Sequence, residues 1–414
     1  MNTEFFIARR TAASSPDHKP GVMVRIAVIS VAVSMAVMIV ALAVIMGFKR
    51  EVTEKIIGFT AHVQVIDIRG ENGIDAEPVR RSESLENRIR SVAGFVAMHP
   101  YATKGGIVKT ADAMQGVVLK GVDGSNELSF FKANLSEGAL PRISDTIRTK
   151  DILVSRTLAD KLILKVGDKV EMLFIGSGDA PRRDRFKVSG IYASGLGEMD
   201  NVLIITDIRN VQRLSDRTAD EISGYEILTS DFAEVDGFTQ RLKFALGEED
   251  SDTTQNLAVM NVKELYPNIF DWLKAHDVNA VVIIVIMLIV AFFNMASALL
   301  ILVLERTRMI GVLKAMGMRD GAVQRIFLYR AAFITLRGLF WGNLIGLGCC
   351  VIQAYFHVVK LNSEGYFLSE VPISLDWGWW LMLNIGVVAA IVALLAIPTY
   401  IISYIKPDES IRYN

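Results

Sequence analysis

The chain has 414 residues, a hydrophobic content of 51% and a formal net charge of −1; it is too long and too apolar for one ordinary soluble domain. The near-zero charge gives no indication of nucleic-acid binding. Both cysteines, Cys349 and Cys350, lie in one apolar run, so no disulfide framework is expected in the polar regions.

Four apolar stretches are long enough to cross a bilayer core of about 30 Å, which takes about 20 residues. We predict transmembrane helices at 26–48, at 278–304, within 320–359 and at 377–405. The first stretch is longer than the apolar region of a signal peptide and has no small-residue cleavage site before Lys49. We therefore interpret it as a retained anchor.

The distribution of lysine and arginine predicts the orientation, because these residues are enriched in cytoplasmic segments. They precede the first span and follow the second, whereas only Lys360 lies between the third and fourth. We therefore expect a cytoplasmic N-terminal segment at 1–25, a cytoplasmic tail at 406–414, and external segments at 49–277 and 360–376.

The segment 49–277 is large enough for a folded domain with its own core. Alternating and helical patterns predict a strand at 61–68, a helix at 84–96, a strand at 114–123, and then a strand at 224–230 followed by a helix at 232–247. Between them, at about 136–221, lie a helical pattern (152–164) and short strands separated by glycine-rich turns. The predicted fold class is a membrane α+β protein, with four transmembrane helices and a large extracytoplasmic α/β domain that carries a β-rich insert.

The third apolar region is too long for one straight span, and it carries Arg330 and Arg337 on one helix face. We expect 320 to about 332 to run along the cytoplasmic interface before the chain crosses the membrane, because an arginine deep in a span is costly. Gly338, Gly342 and Gly346 follow at intervals of four residues, a pattern that favours close packing of helices.

Motifs for catalysis are missing from the sequence. There is no phosphate-binding loop of the GxxxxGK[ST] type, and the five histidines have no metal-ligand spacing. The predicted spans contain no Asp or Glu, which argues against an ion-driven transporter. We therefore expect a protein that is not itself an enzyme, that binds no cofactor, and that receives its energy from another protein.

The segment LERTRMIGVLKAMGMRDGAVQRIF, 304–327, follows the second span directly. Met309, Ile310, Leu313 and Met316 recur in it at helical spacing, between basic residues. Such an amphipathic helix suits a groove on a partner protein. It equally suits an interface rich in anionic lipid, and the residues alone leave both interpretations open.

Three segments carry a resemblance to a known family. GFKREVTEKIIGFTAHVQV (47–65) resembles the junction after the first span in lipoprotein-releasing permeases of the LolC/LolE type. LERTRMIGVLKAMGMRDGAVQRIFL (304–328) is similar to the coupling helix of the wider FtsX/MacB-like permease superfamily, and YIKPDESIRY (404–413) is similar to the tail of the family. The order of one span, a large external domain and three further spans agrees with this resemblance.

The resemblance implies a type VII ABC transporter in the bacterial inner membrane. Two permease chains, as a homodimer or a heterodimer, would work with a separate cytoplasmic LolD-like ATPase that binds ATP and magnesium. The expected function is ATP-driven extraction of acylated lipoproteins from the outer leaflet toward a periplasmic carrier. The alternatives are an FtsX-like mechanotransmitting permease that regulates an external partner, and a component of a MacB-like exporter.

The resemblance also implies roles for particular residues. The ATPase-coupling helix, predicted at 305–319, would contain Glu305, Arg306, Met309, Ile310, Gly311, Leu313, Lys314, Ala315, Met316 and Gly317. Candidate residues for the cavity that receives acyl chains are Met35, Met38, Leu42, Met46, Phe292, Phe293 and Met295, since flexible methionines and aromatic rings suit such chains.

A carrier-binding hairpin is expected between Met172 and Val188. This interval looks shorter than the LolC hairpin, and it holds the charged residues Arg182, Arg183 and Arg185 in place of an extended apolar tip. The sequence therefore leaves open whether this hairpin binds a carrier, and it does not indicate which lipoprotein is the substrate.

Overall fold

The computed structural model describes residues 22–67, 77–110, 113–143, 148–174, 181–247, 256–361, 368 and 370–399. The chain divides into two compact units. The sheet unit holds 51–271 and 361–369, and the helical unit holds 1–50, 272–360 and 370–414. The predicted tail at 406–414 and most of the predicted N-terminal segment lie outside the described residues.

Four helices are long and apolar enough to cross a membrane. They are α1 (Val22–Thr60), α9 (Pro267–Glu305), α11 (Asp320–Phe356) and α12 (Trp377–Thr399), and the short α10 (Thr307–Ala315) lies between the second and third of them. Their buried side chains form one apolar cluster that includes Met38, Met295, Ile310, Phe327 and Ile391.

Three of the long helices differ from the predicted spans. α9 begins at Pro267, eleven residues before the predicted start at 278. α1 continues twelve residues beyond the predicted end at Phe48, to Thr60, because no proline interrupts the segment that follows the apolar stretch. α11 is one continuous helix from Asp320 to Phe356, with no break near Ala332, and the course of its first residues along the membrane interface stays a prediction. An apolar run in the sequence marks the part of a helix that lies in apolar surroundings. The helix itself can continue beyond this run, until its backbone hydrogen bonds are interrupted or capped.

The sheet unit is built around a large mixed sheet. The strands of the unit, in chain order, are β1 (Val63–Asp67), β2 (Val79–Arg80), β3 (Phe95–Lys109), β4 (Met114–Val122), β5 (Leu135–Gly138), β6 (Asp151–Ser155), β7 (Lys169–Phe174), β8 (Arg182–Tyr192), β9 (Leu203–Asp207), β10 (Glu221–Ile222), β11 (Gly224–Thr229) and β12 (Leu257–Asn261). β2 and β10 form a separate two-stranded sheet, and the other ten strands form the large sheet.

Short helices connect these strands and cover the sheet. They are α2 (Glu83–Arg90), α3 (Ser129–Ala133), α4 (Arg156–Leu162), α5 (Gly197–Asp200), α6 (Ile208–Leu214), α7 (Val235–Gly247) and α8 (Val262–Leu265), with a 3-10 turn at Phe232–Glu234. Side-chain oxygens cap several of them: Ser82 accepts from Leu85 N, Ser155 from Leu158 N, and Asn261 forms a capping box with Glu264.

Six strands close into a ring. β3 pairs with β4, β4 with β9, β9 with β6, β6 with β8, β8 with β7, and β7 returns to β3. The β4–β9 and β6–β8 pairs are parallel and the other four are antiparallel. The predicted insert at 136–221 is therefore part of a small barrel that shares β3 and β4 with the rest of the sheet.

The strand that joins the two parts, β3, was not predicted. It has 15 residues, and it contains Pro100, Gly105 and Gly106, residue types that normally weaken a strand. Pairing on both sides outweighs these local preferences, since β3 forms ladders with β11, β4 and β7. The predicted helical pattern at 152–164 also begins as a strand, β6, because its first residues lie between β8 and β9.

The C-terminal end of α1 is held by a buried ion pair. Lys120 on β4 and Glu226 on β11 are 7% and 5% exposed, with 2.5 Å between Lys120 Nζ and Glu226 Oε1. The same ammonium group donates to the carbonyl of Phe59 at 2.5 Å, one of the last-turn carbonyls that have no partner within the helix. Gln64 donates to Glu226 and accepts from Tyr101. Within the sheet unit, the network ties the last turn of α1 to two strands of the sheet.

Candidate functional site

The predicted coupling segment forms the helix α10, which is shorter than the predicted range 305–319. Its C-terminus has Gly317 in the left-handed region, at φ +90°. Gly317 N–H donates to Lys314 O at 2.9 Å and Met318 N–H to Leu313 O at 3.1 Å, a pair of bonds that ends a helix and favours glycine at this position. Lys314 also pairs with Asp320, the first residue of α11, at 2.9 Å.

The two faces of α10 differ in exposure. Ile310 and Gly311 are buried, and Ile310 belongs to the apolar core of the helical unit. Met309 packs partly against this core, whereas Val312 is 46% and Met316 71% exposed. The outward face consists of Arg308, Val312, Ala315 and Met316, which lie one and two helical turns apart. Glu305 and Arg306, just before α10, are exposed as well.

The sequence therefore predicted the helix but not which of its apolar residues would be free to bind a partner. Ile310 points inward and holds α10 on the helical unit. Leu313 is partly exposed, and Lys314 is nearly buried beside Asp320. The exposed face of α10 is centred on Val312 and Met316, and Val312 was not among the predicted residues.

The glycine ladder of α11 lies against α1. A Cβ atom on Gly338 would lie 2.7 Å from Val31 Cβ, one on Gly342 would lie 2.6 Å from Met35 Cβ, and one on Gly346 would lie 3.1 Å from Ala36 Cα. These distances leave no room for a larger residue at the first two positions. Residue numbers rise together along the two helices, so α1 and α11 run parallel.

An apolar cavity of about 570 Å³ lies among α1, α9 and α12. Leu42 and Met46 of the predicted acyl-chain residues line it. At one end of it, Lys49 Nζ and Asp277 Oδ2 form an ion pair of 2.8 Å between α1 and α9. The cavity is within the range of about 300–1,000 Å³ that is common for ligand pockets, and it combines an apolar wall with one charged end.

The other predicted acyl-chain residues lie elsewhere in the helical unit. Met35, Met38 and Met295 are fully buried in helix packing, and Met35 contacts the α11 ladder at Gly342. Phe292 packs partly against the core, and Phe293 is 63% exposed. Their role in lipid binding stays a prediction, but none of them lines this cavity.

α12 supplies the wall that the sequence interpretation missed. Trp379, Met382, Leu383, Gly386 and Val387 line the cavity, and their spacing of three and four residues is the signal that could have identified this face. Lys49 and Asp277 were noticed only as the limits of the predicted spans. Their pairing depends on two helices that are far apart in the sequence, so no local pattern indicates it.

The β7–β8 hairpin carries the arginines of the predicted carrier-binding segment, whose tip at 175–180 lies outside the described residues. Arg182 donates to both carboxylate oxygens of Asp216. Arg183 is 70% exposed and lies 3.7 Å from Glu171, and Arg185 is also exposed. Between them Asp184 points inward and pairs with Lys150, at 2.5 Å, and with Arg213.

The ion pairs of Asp184 lead us to expect that the fold loses stability in acid. Burial alone would raise the pKa of Asp184, but hydrogen bonds from Lys150 and the backbone of Arg185, with the charge of Arg213, hold that pKa below its ordinary 3.8. A lowered folded-state pKa stabilises the fold above the ordinary value, and this contribution is lost as the pH falls through the folded-state pKa. The free energy of unfolding in urea should fall between about pH 5 and about pH 2 in the parent chain, and we expect Asp184→Asn to make this fall smaller.

The measurement is urea unfolding of the parent chain and of Asp184→Asn at both pH values, with the free energy of unfolding compared between the two proteins. An unchanged slope in Asp184→Asn would contradict the prediction.

Metal binding has no candidate among the described parts of the chain, where no three His, Cys, Asp or Glu side chains form a group that could hold an ion. The expectation that cofactors belong to a partner stays a prediction. The described residues contain a helix with an exposed apolar face, an apolar cavity and a sheet that includes a small barrel.

Two family models match the chain. The model described as MacB-like periplasmic core domain matches residues 26–245, and the model described as FtsX-like permease C-terminal matches residues 281–407. Together they cover most of the two units described above, except residues 246–280, which contain β12, α8 and the first part of α9.

Curated relatives match over nearly their whole length. The lipoprotein-releasing system transmembrane protein LolC of Neisseria meningitidis is 26% identical over 94% of this chain and 94% of its own. The corresponding protein LolE of Haemophilus influenzae is 22% identical over 94% of both. Among solved structures, the extracellular domain of the noncanonical ABC-type transporter YknZ from Gram-positive bacteria covers 48% of this chain and 99% of its own, at 16% identity and a TM-score of 0.33.

The MacB-like model alone spans more than half of the chain, and the FtsX-like model accounts for the last three membrane helices with α10 between them. The LolC and LolE relatives align with 94% of the chain, and so with both matched parts. The chain belongs to the MacB-like periplasmic core domain family, and within it is an ABC transporter permease of the LolC/LolE type with an FtsX-like C-terminal part.

Proposed function

We propose that this chain is the permease subunit of a lipoprotein-releasing transporter of the bacterial inner membrane. It would take acylated lipoproteins from the outer leaflet and pass them toward a periplasmic carrier, with energy from a separate ATPase. The cavity among α1, α9 and α12 is the observation that carries the proposal. The names of the relatives agree with it, since they describe a lipoprotein-releasing system.

The chemistry of the cavity suits an acylated substrate. Its wall consists of aliphatic side chains, methionines and Trp379, and such surfaces adapt to flexible hydrocarbon chains. The Lys49–Asp277 pair at one end supplies polar partners for the head of the substrate, where the acyl chains join the peptide. The exposed apolar residues of α9 beside it, such as Val281 and Val285, would let a chain enter from the side.

The proposed topology places both termini and α10 in the cytoplasm. The parallel arrangement of α1 and α11 agrees with it, because both helices then cross the membrane in the same direction. α10 follows α9 directly and is tied to α11 by the Lys314–Asp320 pair. An ATPase that binds the exposed face of α10 would therefore move the C-terminal end of α9, and with it the helix whose N-terminal half lines the cavity through Asp277 and Val281.

Cross-linking from defined positions tests the cavity. We expect a photoreactive phenylalanine at Met46 or Met382 to cross-link a newly acylated lipoprotein in membranes that contain the whole transporter. The same probe at Phe356, which is 75% exposed on α11 and outside the cavity, should cross-link bulk lipid only. The products are separated by mass and identified with antibody to the lipoprotein.

Two outcomes would count against the proposal. Equal labelling by bulk lipid at Met46 and Phe356 would remove the cavity from the transport route. Normal release of lipoproteins after depletion of the chain, together with altered cell division, would instead favour a mechanotransmitting permease of the FtsX type.

A further inference from the structure

A second cavity, of about 490 Å³, lies between the N-terminal half of α1 and the middle of α11. It is distinct from the cavity assigned to the lipoprotein, which lies among α1, α9 and α12. The glycine ladder brings the two helices together beside it, through Gly338 at Val31 and Gly342 at Met35. Ile29, Trp341 and Ile345 line it and are 61%, 52% and 49% exposed, so the cavity is open on its lateral side.

Two arginines line this apolar cavity. Arg25 comes from α1 and Arg337 from α11, and no acidic residue is among the lining side chains. Across the described parts of the chain, neither guanidinium group forms an ion pair. An arginine beside apolar walls normally finds an anionic partner, because the charge is costly to leave uncompensated there.

The polar and apolar parts of the cavity are separated along the helix axes. Gly338 lies level with Val28 and Val31, so Arg337 lies about one helical turn, roughly 6 Å, further along than Arg25. Trp341 and Ile345 follow at one and two further turns of α11. Charge therefore occupies one end and hydrocarbon the other, which matches the polarity of a membrane lipid in the same leaflet.

From this arrangement we infer that the cavity is a binding site for an anionic phospholipid, with its phosphate between Arg25 and Arg337 and an acyl chain along Trp341 and Ile345. Guanidinium groups bind phosphate oxygens in bidentate geometry, and basic pockets between membrane helices select anionic headgroups. A headgroup with its own ammonium would be repelled by the two arginines. A lipid with a phosphate and an uncharged headgroup, such as phosphatidylglycerol, is the expected occupant.

The site goes beyond the proposed function, because lipid binding here requires neither the ATPase nor a lipoprotein. The orientation proposed above would place it in the cytoplasmic leaflet. Its occupant would fill the space between α1 and α11 and so stabilise the pair of helices on which the glycine ladder depends.

Native mass spectrometry of the purified, delipidated full chain tests the site. The chain is titrated with dioleoyl-phosphatidylglycerol and, separately, with dioleoyl-phosphatidylcholine. We expect the first phosphatidylglycerol to bind at least about fivefold more tightly, and Arg25→Gln and Arg337→Gln each to weaken it about fivefold. Arg319→Gln removes an exposed arginine that does not line the cavity, and it should leave the affinity unchanged.

Misfolding of the glutamine variants could also weaken lipid binding, and the double variant Arg25→Lys/Arg337→Lys controls for this. It keeps both positive charges and should retain the preference for the anionic lipid. Equal affinity for the two lipids, or equal effects of Arg337→Gln and Arg319→Gln, would overturn the inference. Competition by inorganic phosphate as effective as by lipid would assign the site to a soluble anion instead. A change from monomer to dimer on substitution, with lipid binding unaltered, would assign the surface to a second permease chain.

Discussion

The double variant Val312→Glu/Met316→Glu is expected to lose its ATPase on purification, with at least about a 30-fold loss of affinity. Both side chains lie on the outward face of α10, and neither is part of the buried core. Apolar residues at the centre of a protein interface commonly contribute about 2 kcal/mol or more each, and two carboxylates would also have to be desolvated on binding. Co-purification of the tagged chain with its co-expressed ATPase measures the loss.

The controls separate binding from folding. Val96→Glu makes the same change at a 57% exposed valine of the sheet unit, which a cytoplasmic ATPase cannot reach in the proposed topology. It should leave ATPase binding intact. Ile310 is unsuitable for this test because it is fully buried, so a charge there would disrupt the helical unit itself. Retention of the ATPase by the double glutamate variant would exclude this face of α10 as the coupling surface.

Lys120→Met is expected to destabilise the sheet unit by about 3–5 kcal/mol, because it leaves the buried carboxylate of Glu226 without its partner. Stabilities of about 5–15 kcal/mol are typical of single domains, so a loss of this size approaches unfolding. The carbonyl of Phe59 at the end of α1 would lose its donor as well. Urea-dependent pulse proteolysis of the full chain measures the change in the free energy of unfolding.

Two further variants identify the cause. Lys120→Met/Glu226→Leu removes both charges and should recover most of the loss, since apolar replacement of a whole buried pair is often neutral. Lys243→Met makes the same substitution in an exposed pair with Glu264, at 3.3 Å, and should cost less than about 1 kcal/mol. A similar cost for Lys120→Met and Lys243→Met would show that burial of the pair contributes nothing.

Much of the architecture was predictable because it rests on local patterns. The four long apolar helices follow from runs of apolar residues, whereas the orientation predicted from lysine and arginine stays a prediction. β1, β4 and β11, with the helix α7, follow from alternation and from helical spacing in single segments. The resemblance of 304–328 to a coupling helix likewise depends on contiguous residues.

Contacts between distant segments were not predictable in this way. β3 was missed because its proline and glycines conceal a strand that is stabilised by three neighbours. For the same reason the insert at 136–221 could be recognised as β-rich, but its closure into a ring with β3 and β4 could not.

The sequence by itself determined which segments are long and apolar enough to cross a membrane and which segments are amphipathic, since hydrophobic burial acts on each segment separately. Only the tertiary structure decided which side of each helix is used. Packing buries Met35, Met38 and Ile310, leaves Val312 and Met316 exposed, pairs Lys49 with Asp277, and brings Arg25 and Arg337 to one cavity. A helical repeat shows that an apolar face exists, but the neighbour that covers it is set by the other helices, whose arrangement no single segment encodes.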